Sequence, residues 1–188
     1  MNTVAMEQRK RIHPHKFALW VGIASIIMMF AGLTSAYIVK RNQVNWTSFE
    51  LPTMFWYSTL AILASSGTLF LAQSAFKQRE MARYRNLVVT SLLLGVVFIT
   101  LQVLGFKQLW DNGMTLQKNV SFSFLYVIVG LHGLHVVGGI VALIVLFLKA
   151  FSSKVRNYNI VPIEVISTYW HFVDLLWIYL LIFLIMIR

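Results

Sequence analysis

Five ionisable side chains stand inside long apolar stretches: His132 and His135 in one, and Glu164, His171 and Asp174 in the next. Such groups are costly in hydrocarbon and normally face a bundle interior or a water-filled path. Side chains three, four or seven positions apart on a helix share a face. His132 and His135 therefore lie together, and Glu164, Ser167, His171 and Asp174 form a second stripe. Three chemistries fit. His-x-x-His with a third histidine is ligand-like, for a metal or a haem. Glu164, His171 and Asp174 could relay protons. A hydrogen-bonded network could simply fix helix register. The last is preferred, because the histidine spacing is not distinctive and neighbouring histidines and acids can satisfy one another. The two stripes are expected to face each other and hydrogen-bond, since pairing relieves the cost of burying each group alone. His13 and His15, in a basic amino-terminal stretch, carry no assigned chemistry.

The elements that must hold these groups are apolar runs over residues 17–39, 54–75, 87–106, 120–148 and 163–187. A helix of about 20 apolar residues crosses the hydrocarbon core of a bilayer. The expectation is one all-α membrane domain of five transmembrane helices, covering residues 1–188. The fourth run is long enough to tilt or to project beyond the membrane. Pro14, Pro52 and Pro162, the only prolines, each stand just ahead of a run, where a helix tolerates them. The first run follows basic residues, but it is too long for a signal-peptide core and ends in Lys40-Arg41, so it reads as an anchor.

Composition agrees. The chain is 59% hydrophobic and 12% charged, too little charge for a surface that meets water on every side. A net charge of +10 reflects membrane orientation rather than a nucleic-acid partner, because the basic residues sit in short connections between apolar runs. Eleven Lys and Arg fall on one side: Arg9, Lys10, Arg11, Lys16, Lys77, Arg79, Arg83, Arg85, Lys149, Lys154 and Arg156. Five fall on the other: Lys40, Arg41, Lys107, Lys118 and Arg188. The positive-inside rule then puts the amino terminus in the cytoplasm and the carboxyl terminus in the periplasm. Cysteine is absent, which removes disulfides, thiolate metal sites and thiol nucleophiles.

The weaker signals concern packing. Gly130, Gly133, Gly138 and Gly139 are expected to let another helix approach closely. Ser58, Thr59, Ser65, Ser66 and Thr68 crowd the second run as helix-packing contacts. Trp46, Trp56, Tyr57, Trp110, Tyr169 and Trp170 read as an aromatic belt at the membrane edges.

Two segments carry a resemblance. Gly130-Leu131-His132-Gly133-Leu134-His135-Val136-Val137-Gly138-Gly139 and Tyr169-Trp170-His171-Phe172-Val173-Asp174-Leu175-Leu176-Trp177, with Glu164 upstream and Phe30-Ala31-Gly32 in the first run, resemble the signatures of subunit III of haem–copper terminal oxidases. The resemblance runs from about His13 onward and fits the shorter, five-helix form in the bacterial inner membrane. It implies a non-catalytic subunit of a proton-pumping oxidase, without catalytic or metal-binding residues, whose histidines are structural. The haems and copper would belong to partner subunits I and II. This chain would pack beside subunit I, hold structural phospholipids, sustain proton uptake and prevent turnover inactivation, with a larger respiratory supercomplex as a candidate wider assembly. Many members carry a buried carboxylate six residues before the glycine of Phe-Ala-Gly. Here that position is Ile26, so any role of that acid does not carry over. Cytochrome c is favoured as electron donor, with a quinol oxidase as alternative. A stand-alone transporter and a haem-binding membrane cytochrome are the readings from other classes.

Overall fold

The computed structural model describes residues 14–41, 52–114, 119–151 and 160–187. They form five helices: α1 Pro14–Arg41, α2 Met54–Lys77, α3 Met81–Asp111, α4 Val120–Phe151 and α5 Val161–Ile187. All five are long and apolar enough to cross a membrane, and no strand occurs among the described residues. Several helices outrun the apolar runs. α3 begins six residues before Leu87 and continues to Asp111, because hydropathy marks where side chains meet lipid and not where backbone hydrogen bonding stops. Its first turns hold Tyr84, buried against the Phe76 ring at 5.1 Å.

α2 and α3 form an antiparallel hairpin joined through Gln78, Arg79 and Glu80. Backbone N–H groups of those residues donate to the carbonyls of Ser74, Phe76 and Ala75, and Arg79 takes the left-handed conformation, φ 61°, usual just past a helix end. Gly113, at φ 75°, ends α3 in the same way, donating to Trp110 O at 2.9 Å while Met114 donates to Leu109 O at 3.1 Å. Along α3, the buried residues Tyr84, Val88, Ser91, Gly95, Phe98, Gln102, Gly105 and Leu109 recur at alternating spacings of four and three. That is the seam of closely aligned helices.

The helices meet as a ring. α2 packs on α3, α3 on α4, α4 on α5, and α5 on α2. α1 lies outside this ring against α4 and α5, and its described residues do not pack on α2 or α3. Tyr37 seats it, with its ring edge-on to Phe124 and Phe183 at 6.0 and 5.4 Å. The outer surface is apolar, as lipid requires: Met28, Leu134 and Leu175 are all exposed.

Candidate functional site

Glycines on α3 and α4 position the site by making room for α5. A Cβ on Gly139 would lie 2.9 Å from the Trp170 ring, and one on Gly95 would lie 2.8 Å from the same indole. Trp170 is therefore wedged between α3 and α4, 1% exposed, with its indole N–H unpartnered among the described residues. Seven residues on, Trp177 stacks on His132, ring centroids 5.2 Å apart and planes 28° from parallel. Gly139 opposite Trp170 and His132 opposite Trp177 fix the antiparallel register of α4 and α5, and leave Asp174 level with His135.

His132 is 1% exposed. The edges of Phe98 and Phe30 complete its surroundings at 6.1 and 6.5 Å, and neither ring nitrogen has a hydrogen-bond partner among the described residues. His135 turns back on its own helix, Nδ1 to Leu131 O at 2.7 Å, with Phe30 beside it at 5.8 Å. The link between α4 and α5 is made by Tyr169, whose hydroxyl donates to the His135 carbonyl at 3.0 Å.

The α5 polar stripe turns elsewhere. His171 lies between two hydroxyls, with Ser66 Oγ on α2 at 2.5 Å from Nδ1 and Ser167 Oγ at 3.1 Å from Nε2. Asp174 is 3% exposed, and its Oδ1 has no partner among the described residues. Glu164, near the start of α5, pairs with Lys16 of α1 at 2.7 Å.

The expected pairing of the two stripes is thus corrected. The histidines of α4 make no side-chain hydrogen bond to Glu164, His171 or Asp174 among the described residues. The tryptophans take the α4 side of α5, so its polar groups face α2 and α1. The expectation for the aromatic belt is corrected at Tyr169 and Trp170, which lie in the helix interface; Trp56, Tyr57 and Trp110 are exposed, and Trp46 lies outside the described residues. Of the four packing glycines, Gly139 receives an aromatic ring and Gly138 makes an ordinary contact with the Tyr169 hydroxyl, while Gly130 and Gly133 meet nothing within 4 Å in this chain. Ile26 is half-buried, packed against the core. His13 lies outside the described residues, as do the basic residues 9–11, 118, 154, 156 and 188.

The second-run hydroxyls take up cross-helix bonds. Ser65 Oγ donates to Ser91 O at 2.9 Å, Thr68 and Ser91 share a bond of 2.7 Å, Gln102 Nε2 donates to Ser58 Oγ at 2.8 Å, and Trp177 Nε1 donates to Thr59 Oγ1 at 2.9 Å. Gln102, Ser91, Gly95 and Trp177 are the positioning residues that reading the polar groups alone passes over. For Ser91, Gly95 and Gln102 the signal was present as the four-and-three spacing of α3. Among the described residues, no group of three His, Cys, Asp or Glu side chains is arranged to hold a metal ion.

Comparison with known proteins converges. The family described as cytochrome c oxidase subunit III matches residues 15–187. A Mycobacterium tuberculosis protein named "probable cytochrome c oxidase subunit 3" is 32% identical over 173 residues, 89% of this chain and 85% of the relative. The cytochrome c oxidase subunit 3 of Corynebacterium diphtheriae is 30% identical over 169 residues, covering 86% of this chain and 82% of that one. A protein named "probable quinol oxidase subunit 3" from Staphylococcus haemolyticus is 25% identical over 172 residues, covering 88% and 85%.

Proposed function

Because the chain belongs to the cytochrome c oxidase subunit III family, and so to a haem–copper oxidase complex of the bacterial cytoplasmic membrane, we propose that it is the complex's non-catalytic subunit, packed beside the catalytic subunits I and II. There it sustains proton uptake and holds structural phospholipids. The observation that carries this reading is the way the family's two signature segments are used. They supply the Gly139–Trp170 wedge, the His132–Trp177 stack and the Tyr169–His135 bond, which are joints between helices. Haems and copper then belong to the partner subunits. Cytochrome c is the favoured donor, supported by the 32% and 30% identities to cytochrome c oxidase subunits against 25% to the quinol oxidase subunit.

Deleting the chain tests this. The remaining oxidase should keep its haem spectrum and its initial turnover, then lose activity during sustained turnover. Loss of haem from the remaining complex would overturn the reading.

A further inference from the structure

Arg85, in the second turn of α3, is held as a fixed fork. Its Nε–H donates to the Ala150 carbonyl near the end of α4 at 2.8 Å, and its guanidinium carbon lies 5.4 Å from the centroid of the Phe151 ring. Phe147 braces that ring, with 4.7 Å between centroids. A guanidinium carries five N–H donors. One is used on Ala150, and the Nη edge has no partner among the described residues. Glu80, the acid five positions earlier, pairs with Arg83 instead. Arg85 is therefore an exposed cation whose plane is set and whose bidentate edge is unused. Its depth selects the kind of anion. Arg85 stands two residues before the apolar run of α3, and Ala150 two residues after that of α4, about 3 Å of helix in each case. That is the boundary between hydrocarbon and headgroups, where a lipid phosphate lies. This end of the bundle carries the eleven basic residues, and basic segments beside a membrane attract anionic lipids. An apolar furrow leads from the same corner. Val89, Leu92 and Val96 share the Arg85 face of α3, and Phe147 and Ile144 share the Phe151 face of α4, by spacings of three and four. A Cβ on Gly95 would lie 3.6 Å from the Ile140 side chain, so the two rows run side by side. Val96 and Ile144 are 47% and 40% exposed. From Arg85 to Val96 the row covers about 16 Å, half of a hydrocarbon core of about 30 Å and so the reach of one acyl chain.

We propose that the corner formed by Arg85, Ala150 and Phe151 is a binding site for one anionic phospholipid, with its phosphodiester on the Arg85 fork and an acyl chain in the furrow between α3 and α4. The fork matches two phosphate oxygens at once, which a lysine ammonium does not. The Ala150 bond and the Phe151 ring hold the guanidinium in place before the lipid arrives, so little side-chain freedom is lost on binding. A zwitterionic lipid carries its own ammonium beside the phosphate, which weakens the attraction to Arg85. A free phosphate could use the fork but not the furrow. The site gives a location to the phospholipids of the proposed function, and it rests on that part of the reading alone.

The test is native mass spectrometry of the intact complex with which the chain purifies, released from vesicles of phosphatidylglycerol and phosphatidylcholine in equal parts. The wild type should retain phosphatidylglycerol in preference to phosphatidylcholine. Arg85→Gln should hold it about tenfold more weakly, as loss of charge-assisted hydrogen bonds implies. Arg85→Lys should not restore it, because the charge returns without the fork. Ile144→Trp fills the furrow and leaves the Arg85–Ala150 bond in place, so it should weaken retention as well, which a purely structural Arg85 tie would not predict. Inorganic phosphate in excess should leave the lipid bound. Equal retention in the wild type and Arg85→Gln, no effect of Ile144→Trp, or displacement by inorganic phosphate would overturn the proposal. The same spectra count the partner subunits and the total phospholipid, so loss of this one lipid is distinct from a complex that holds no lipid or is no oxidase.

Discussion

Gly139 and Gly133 share a sequence motif but face different surroundings, and they can be told apart by adding one carbon. At Gly139 a Cβ would press on the Trp170 ring at 2.9 Å, whereas at Gly133 it would meet nothing within 4 Å. Trp170 cannot retreat, because Gly95 receives its other side at 2.8 Å. Gly139→Ala should therefore destabilise the bundle by about 1–3 kcal/mol, the usual cost of overpacking. Gly133→Ala should be neutral or slightly stabilising, since alanine is the better helix former by about 1 kcal/mol. Thermal denaturation of the purified chain in detergent checks both, and equal midpoints for the two variants would contradict the wedge. At this scale the sequence was only partly legible. Of the five ionisable residues expected inside the bundle, His132 and Asp174 are buried, while His135, Glu164 and His171 are half-buried. It did not say what each would touch. The tryptophans decide that by occupying the α4 side of α5, and an aromatic close to an apolar run's end looks the same whether it anchors to lipid headgroups or fills an interface.

At the scale of the helix, α5 and α1 stand at opposite extremes. Half of α5's most apolar window, 50%, is buried in the bundle, against 17% for α1. α1 is held by few polar ties: Thr34 shares a 3.3 Å bond with the Tyr179 hydroxyl, and Lys16 meets Glu164 at 2.7 Å. Those two charged side chains are 42% and 25% exposed, so the pair contributes at most about 1 kcal/mol. Glu164→Lys should loosen α1 by bringing two like charges together, and adding Lys16→Glu should restore most of the loss. Limited proteolysis between α1 and α2 reads this out, and failure of the double reversal to recover protection would show that the pair is incidental. Element existence was legible from apolar length and proline placement, while helix ends were not. α3 runs on to Asp111 because Leu109 is still buried, and it stops only where Asn112-Gly113 allows a left-handed turn. Arg85, near its beginning, reaches across to the Ala150 carbonyl at 2.8 Å and lies over the Phe151 ring, a tie between two helices that their apolar runs do not include.

For the whole molecule, the charge bias fixes an expectation that the bundle itself leaves open, namely which end of it faces the cytoplasm. The turn at Gln78 lies on the side with eleven basic residues, and the turn at Asn112 lies on the side with five. The chain has no cysteine, so single-cysteine variants report without background. Gln78→Cys should react with a membrane-impermeant maleimide only from the cytoplasmic side, and Asn112→Cys only from the periplasmic side. The opposite pattern would invert the topology. Ring closure was not legible in the sequence. Uniformly apolar spans do not say which faces meet, and the seam of α3 identifies its own buried face without naming its partners.

The place of α5 in that ring has a consequence for how the molecule is made. α1 and α2 do not touch each other within the described residues, yet both pack on α5, which is the last of the five helices to leave the ribosome. Synthesis runs from the amino terminus, and membrane helices insert before they assemble. Until α5 arrives, α1 waits with only α4 to hold it and the α2–α3 hairpin waits with one edge uncovered. The nascent protein thus remains an open set of inserted helices until its final span arrives, and a ribosome that stops before Val161 leaves a membrane product whose two halves have nothing to close around.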